Sequence, residues 1–167
     1  MSTSAAAPAP MVAQFLQTFA FEHTTTMKVL QAVPGDKLDF KPHERNMSAG
    51  DLAFHIAYSQ LVLARIVAAG KFEYQPAPTP ATLDEIVAAA ERYYQEACQV
   101  IAGITPAQLG GSVEMPGGRK LPAGALLWSG VLFHQIHHRG QLSVYIRMMG
   151  GKVPSIYGPS GDENPFA

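Results

Sequence analysis

The chain has little to staple it and little charge. One cysteine, Cys98, in 167 residues excludes an intramolecular disulfide framework. Charged residues make up 15%, below the roughly 25% of average domains. Lys plus Arg at 12 nearly balance Asp plus Glu at 13, so no basic field exists to hold a phosphate backbone, and nucleic acid is not an expected partner. No uninterrupted apolar run reaches the roughly 18 residues that span a bilayer. The longest, Leu121 to Phe133, is broken by Pro122 and Ser129, and no membrane association is expected. Lys and Arg are missing before Lys28, unlike the charged start of a secretory signal, so the expected location is the cytoplasm. Few charges leave more apolar surface to hide, which favours a homodimer.

Helical periodicity is what the sequence does have. Residues 1–10 are small, polar or proline and read as a flexible leader. From Met11 to Val33, Val12, Phe15, Leu16, Phe19, Met27 and Leu30 recur at threes and fours, one face of a helix. Asp36 to Met47 has no such period and reads as a loop holding His43. Ser48 opens helix two, its hydroxyl placed to accept the Asp51 amide, and Gly70 stops it. Lys71 to Ala81 holds Pro76, Pro78 and Pro80, the composition of a stiff extended crossover. Thr82 to Glu85 is a capping box that starts helix three, which ends at Thr105-Pro106. Pro116-Gly117-Gly118 between Ser112–Met115 and Arg119–Leu121 predicts a small hairpin. Helix four runs from Pro122 to Met149, and residues 152–167 form an irregular tail. The expectation is a single domain over residues 1–167, an all-α four-helix bundle.

The chemistry sits in the histidines. Three of the six fall within His134-Gln135-Ile136-His137-His138. Positions i and i+4 differ by about 40° around a helix, so His134 and His138 point the same way, one turn apart. The pair His134 and His137 is also geometrically open. His55 lies on the inward face of helix two with Leu52, Ile56 and Ser59, the natural third member. Three neutral nitrogen donors suit Zn, Ni or Fe, and would leave a coordination position for water or substrate. Spacing alone weighs a metal site and a set of hydrogen-bonded polar histidines equally.

The surrounding residues admit paired readings. Asp51, one turn before His55, can orient its ring or serve only the helix cap. Gln141, Tyr145 and Tyr58 can line the pocket, although for the tyrosines a core or rim role is the simpler one. His23 sits between Phe19 and Met27 on the apolar face and reads as a hydrogen-bonded core histidine, with a base or substrate contact beside the site as the other reading. Cys98 reads as a buried inert thiol. Gly130 and Gly140 are expected where another helix packs closely, and Arg139 in a salt bridge or subunit contact. The tail reads as a surface strap, with closure over the pocket through Tyr157, Asp162 or Glu163 as the alternative.

His134 to Leu142 resembles the last-helix motif of the DinB/YfiT-like family of bacterial metal-binding helical bundles, unrelated to the DNA polymerase of similar name. Ser48 to Ile56 resembles that family's second-helix motif, and Gly151 to Gly158 extends the likeness. The resemblance implies a four-helix bundle whose second and third helices run the same way, joined by a long crossover. It implies divalent-metal binding by His55, His134 and His138, with His137 outside the ligand set. It further implies a homodimer and a metal-dependent enzyme. The leading expectation is a transferase that activates a low-molecular-weight thiol, or water, for attack on a small electrophile. The alternatives are a non-catalytic metal-binding dimer of stress response and a metal-dependent hydrolase.

Overall fold

The computed structural model describes residues 10–167, so the expected leader lies outside the described residues up to Pro10, which is already helical. Four long helical stretches form the body: α1 (Pro10–Gln31), α2 (Ala49–Ala69), α3 (Leu83–Ala102), and a last rod built in three parts. That rod comprises α5 (Ala123–Leu126), a π-helical stretch (Leu127–Phe133) and α6 (His134–Met148). Between α3 and α5 lie α4 (Pro106–Gly110) and a hairpin of β1 (Ser112–Glu114) and β2 (Lys120–Pro122). The strands are antiparallel with Val113 opposite Leu121. The sequence reading places the hairpin but misses α4, although Thr105 and Gln108 form a capping box there.

Local chemistry sets the ends. The Ser48 hydroxyl accepts from the Asp51 amide, and Gly70 closes α2 at φ 70°, a left-handed cap that disfavours side chains. Thr82 and Glu85 complete the capping box of α3. Each cap is worth about 1 kcal/mol.

The contacts fix the order of directions. The crossover after α2 runs back along it: Tyr58 Oη donates to the Gln75 carbonyl at 2.6 Å, and Thr79 Oγ1 donates to Asp51 at 2.7 Å. Thus α3 begins beside the start of α2, and Arg65 of α2 pairs with Glu96 of α3 at 3.0 Å. α2 and α3 are parallel, as the resemblance implies. Opposite pairing joins α1 to α3, where His23 meets Glu91 and Phe19 meets Tyr94. Likewise α6 runs against α2, with His55 beside His134 and Tyr145 reaching the Met47 carbonyl.

Two apolar clusters fill the bundle. One gathers Phe15, Phe19, Leu61, Ile66, Ile101 and Leu127; the other gathers Leu30, Leu52, Ile56, Ile86, Leu142 and Ile146. Between them lies a belt of buried polar side chains that includes Glu22, His23, Thr26, Gln60, Gln135 and Arg139. α2 is long and apolar enough by composition to cross a membrane, but 67% of that stretch is buried inside the bundle. Its apolarity serves packing on several neighbours at once.

Candidate metal centre

The histidine cluster sits in this belt, where α2 crosses α6. His134 Nε2 lies 3.3 Å from His55 Nε2 and 3.2 Å from His138 Nε2. One nitrogen from each of the three rings lies within 4.8 Å of the others, and all three residues are half-buried. The rings meet edge to face, at 68° for His55 with His134 and 76° for His134 with His138. Such tilts aim the nitrogens at a common point instead of stacking the faces.

Protonation follows from the neighbours. Gln141 Oε1 lies 3.0 Å from His138 Nδ1. An amide oxygen only accepts, so Nδ1 carries the hydrogen, and in the neutral ring this leaves the lone pair on Nε2. Burial, followed by His138, His55 and His137, holds His134 down to about 4. His55 is lowered by burial first and then by His138. Both therefore stay neutral near pH 7 with a lone pair free to donate.

The donor set fits a transition-metal ion. With Zn–N distances of about 2.0–2.1 Å, two ligands of a tetrahedral ion stand about 3.3 Å apart. The observed 3.2 and 3.3 Å separations match that edge. Among the described residues no carboxylate belongs to the cluster. Three neutral imidazoles suit Zn, Ni or Fe and leave part of a four-coordinate shell open.

For several neighbours the structure decides between the paired readings. Asp51 does not orient His55: its carboxylate accepts from Ser48 Oγ and Thr79 Oγ1, each at 2.7 Å. Those hydrogen bonds hold its pKa below the usual carboxylate value. Tyr145 is buried against Phe40 in the second apolar cluster and does not line the site. Two helical turns place it about 10 Å along the axis from His138, beyond reach even on the same face. Gln141 does meet His138, and Tyr58 lines the cavity beside His55 and His134. His137 is exposed, outside the cluster.

His23 is a core histidine: its Nε2 pairs with Glu91 at 2.9 Å and its ring stacks on Tyr94 at 3.6 Å. His43 is exposed, as expected for its loop. Arg139 is 1% exposed and pairs with Glu22 at 2.7 Å, an internal ion pair and no subunit contact. A Cβ on Gly140 would meet nothing within 4 Å, so among the described residues no other helix packs there. On Gly130 it would stand 3.0 Å from Leu126 Cδ1 and 3.7 Å from Leu63 of α2, so one of the two expected approaches exists. The tail is a strap, not a lid. Tyr157 Oη donates to Glu22 and accepts from Arg139, while Arg147 pairs with Asp162 and Glu163 accepts from the Ser155 amide.

The π-helical stretch immediately before His134 is the feature that sequence reasoning missed. There the His134 amide bonds the Ser129 carbonyl, five residues back. Such widened turns cluster at functional sites, and no residue pattern in Leu127–Phe133 announces one.

A bundle with parallel central helices and three histidines converging from two antiparallel rods defines a class of helical protein with a built-in imidazole centre. Residues 1–164 match the model of the DinB family, and the chain belongs to that family. It is similar to the uncharacterized protein YjoA of Bacillus subtilis, 29% identical over 142 residues, which are 82% of this chain and 90% of that one. The crystal structure of YjoA superposes with a TM-score of 0.71 at 27% identity, covering 86% of this chain and 96% of that chain. A DinB-like protein from Bacillus cereus gives 0.72 at 26% identity, covering 86% and 95%. A histidine-to-alanine mutant of the mycothiol-dependent maleylpyruvate isomerase shares the fold, with a TM-score of 0.57 at 13% identity over 87% of this chain and 65% of that one.

Proposed function

We propose that the protein is a divalent-metal-dependent transferase that joins a low-molecular-weight thiol to a small electrophile. The observation that carries this reading is the convergence of His55, His134 and His138, with Nε2 separations of 3.2 and 3.3 Å. His55 on α2 and His134 and His138 on α6 would hold the ion. A divalent cation bound there supplies Lewis acidity, lowering the pKa of a thiol or water so that its anion is available at neutral pH.

The protein's own part is arrangement. Gln141 fixes the His138 tautomer so that Nε2 donates. Burial keeps His134 neutral, its lone pair ready. The absence of a carboxylate from the cluster, among the described residues, favours a thiol over water as nucleophile. A thiol ionises near pH 8.5 and needs little assistance, whereas water starts from about 15.7. A protein of this fold is mycothiol-dependent, so the scaffold has accommodated thiol chemistry. In the proposed reaction the thiol proton passes to solvent and a sulfur–carbon bond forms. The leaving group departs with the electron pair of the bond it breaks.

The test is turnover of metal-loaded protein with several thiols and a panel of electrophiles. His55→Ala is expected to lose metal and turnover together. Full activity in metal-free protein would overturn the reading, and turnover independent of any thiol would replace the transferase with a hydrolase.

A further inference from the structure

Beside the histidine cluster lies a cavity of about 150 Å³ that the metal centre alone does not explain. His55 and His134 form part of its lining. Val62, Leu63 and Ile66 of α2 supply apolar wall, and Phe72 and Tyr74 of the crossover, both exposed, flank its open side. No charged side chain lines it. A neighbouring cavity that shares Tyr58, Val62 and Ile66 is bordered by Arg65 and Glu73, which are already paired with Glu96 and Lys71. The Tyr58 hydroxyl is used on the Gln75 carbonyl.

Two polar atoms of the lining residues are left over, His134 Nδ1 and the Ser59 hydroxyl. Ser59 is 9% exposed, and its hydroxyl has no hydrogen-bond partner in the protein. A buried hydroxyl without a partner costs on the order of 1–3 kcal/mol. Helical serine usually returns its hydroxyl to the carbonyl one turn back, and here it does not.

We infer that this cavity receives the uncharged, apolar body of the electrophile that reacts at the histidine cluster, with the Ser59 hydroxyl bonding the single polar substituent of that body. The inference rests on the function proposed above and names its substrate class. A volume of about 150 Å³ takes a single benzene-sized ring, so the body is one ring or a short branched chain. A charged body would be desolvated with no counter-charge, and such burial is strongly unfavourable.

The experiment measures binding, not turnover. Metal-loaded protein is titrated with benzyl alcohol, benzylammonium and benzenesulfonate by ligand-observed NMR, and metal content is determined on the same samples. Benzyl alcohol is expected to bind at least about tenfold more tightly than either charged probe. Ser59→Leu, which fills the cavity, is expected to abolish that binding while metal content is unchanged. Phe72→Ala, at an exposed position tolerant of change, is expected to weaken it at least about threefold. Equal binding of a charged probe, or no effect of both substitutions, overturns the inference. Protein that takes up no metal yet keeps the preference for benzyl alcohol overturns the metal reading and leaves the cavity assignment standing.

Discussion

Gln141 illustrates how one side chain sets another's chemistry. Its amide oxygen fixes the proton of His138 on Nδ1, and loss of such partners typically costs 10- to 100-fold in metal affinity. Gln141→Ala is therefore expected to weaken metal binding by about that factor with little change in melting temperature, read by competition with a chromogenic chelator. Gln141 is legible in the sequence because three residues along a helix make a local contact. Asp51 is legible only in its cap role with Ser48, because its other partner is Thr79, 28 positions away across the crossover. Tyr145 takes the core role that the sequence favours over pocket lining; angular position around a helix ignores the axial rise. Cys98 is half-buried, less covered than its reading, and its thiol is not activated: burial pushes it up, Tyr94 pulls the other way, and Glu91 adds to the rise. A fold that favours the protonated thiol contributes stability below the unfolded pKa and loses it as pH rises through the folded one. At pH 8, labelling of Cys98 by a disulfide reagent is expected to be at least about tenfold slower in native than in unfolded protein. Equal rates would show an activated thiol.

At the scale of elements, periodicity and caps yielded the four rods, the crossover and the hairpin. Hydrophobic spacing could not reveal the π-helical Leu127–Phe133, because a widened turn still buries Leu127, Val131 and Leu132. Its consequence is positional: one extra residue per turn resets the angle at which His134 and His138 leave the rod. The two glycines of this rod separate by environment. Gly140→Ala gains helix propensity in open space and is expected to stabilise the fold by about 1 kcal/mol in denaturant titration. Gly130→Ala must push Leu126 aside from 3.0 Å and is expected to gain less or to destabilise. A loss at Gly140 would show that another surface covers it.

Over the whole molecule, the polar belt between two apolar clusters is the organising feature. On one side it presents the histidine cluster; on the other it holds Arg139, whose guanidinium bonds the Glu22 carboxylate and carbonyl, Thr26 and Tyr157. Arg139 follows His138 directly, so the ion pair also holds the stretch of backbone that carries the cluster. Glu22→Ala leaves a buried guanidinium without its counter-charge and is expected to cost about 3–5 kcal/mol in chemical denaturation. Pairing it with Arg139→Met is expected to restore much of that loss. The sequence places Arg139 in a salt bridge or subunit contact, but not its partner, because Glu22 lies 117 residues earlier.

The proposed chemistry needs three imidazoles sharing one cation. The direct measurement is elemental analysis of protein purified without an affinity tag, then reconstituted and compared with His134→Ala. The expected result is one divalent transition-metal ion per chain, held by the native protein and absent from the variant. Native protein that folds normally yet binds no such ion after reconstitution, or a variant that retains full occupancy, would contradict it.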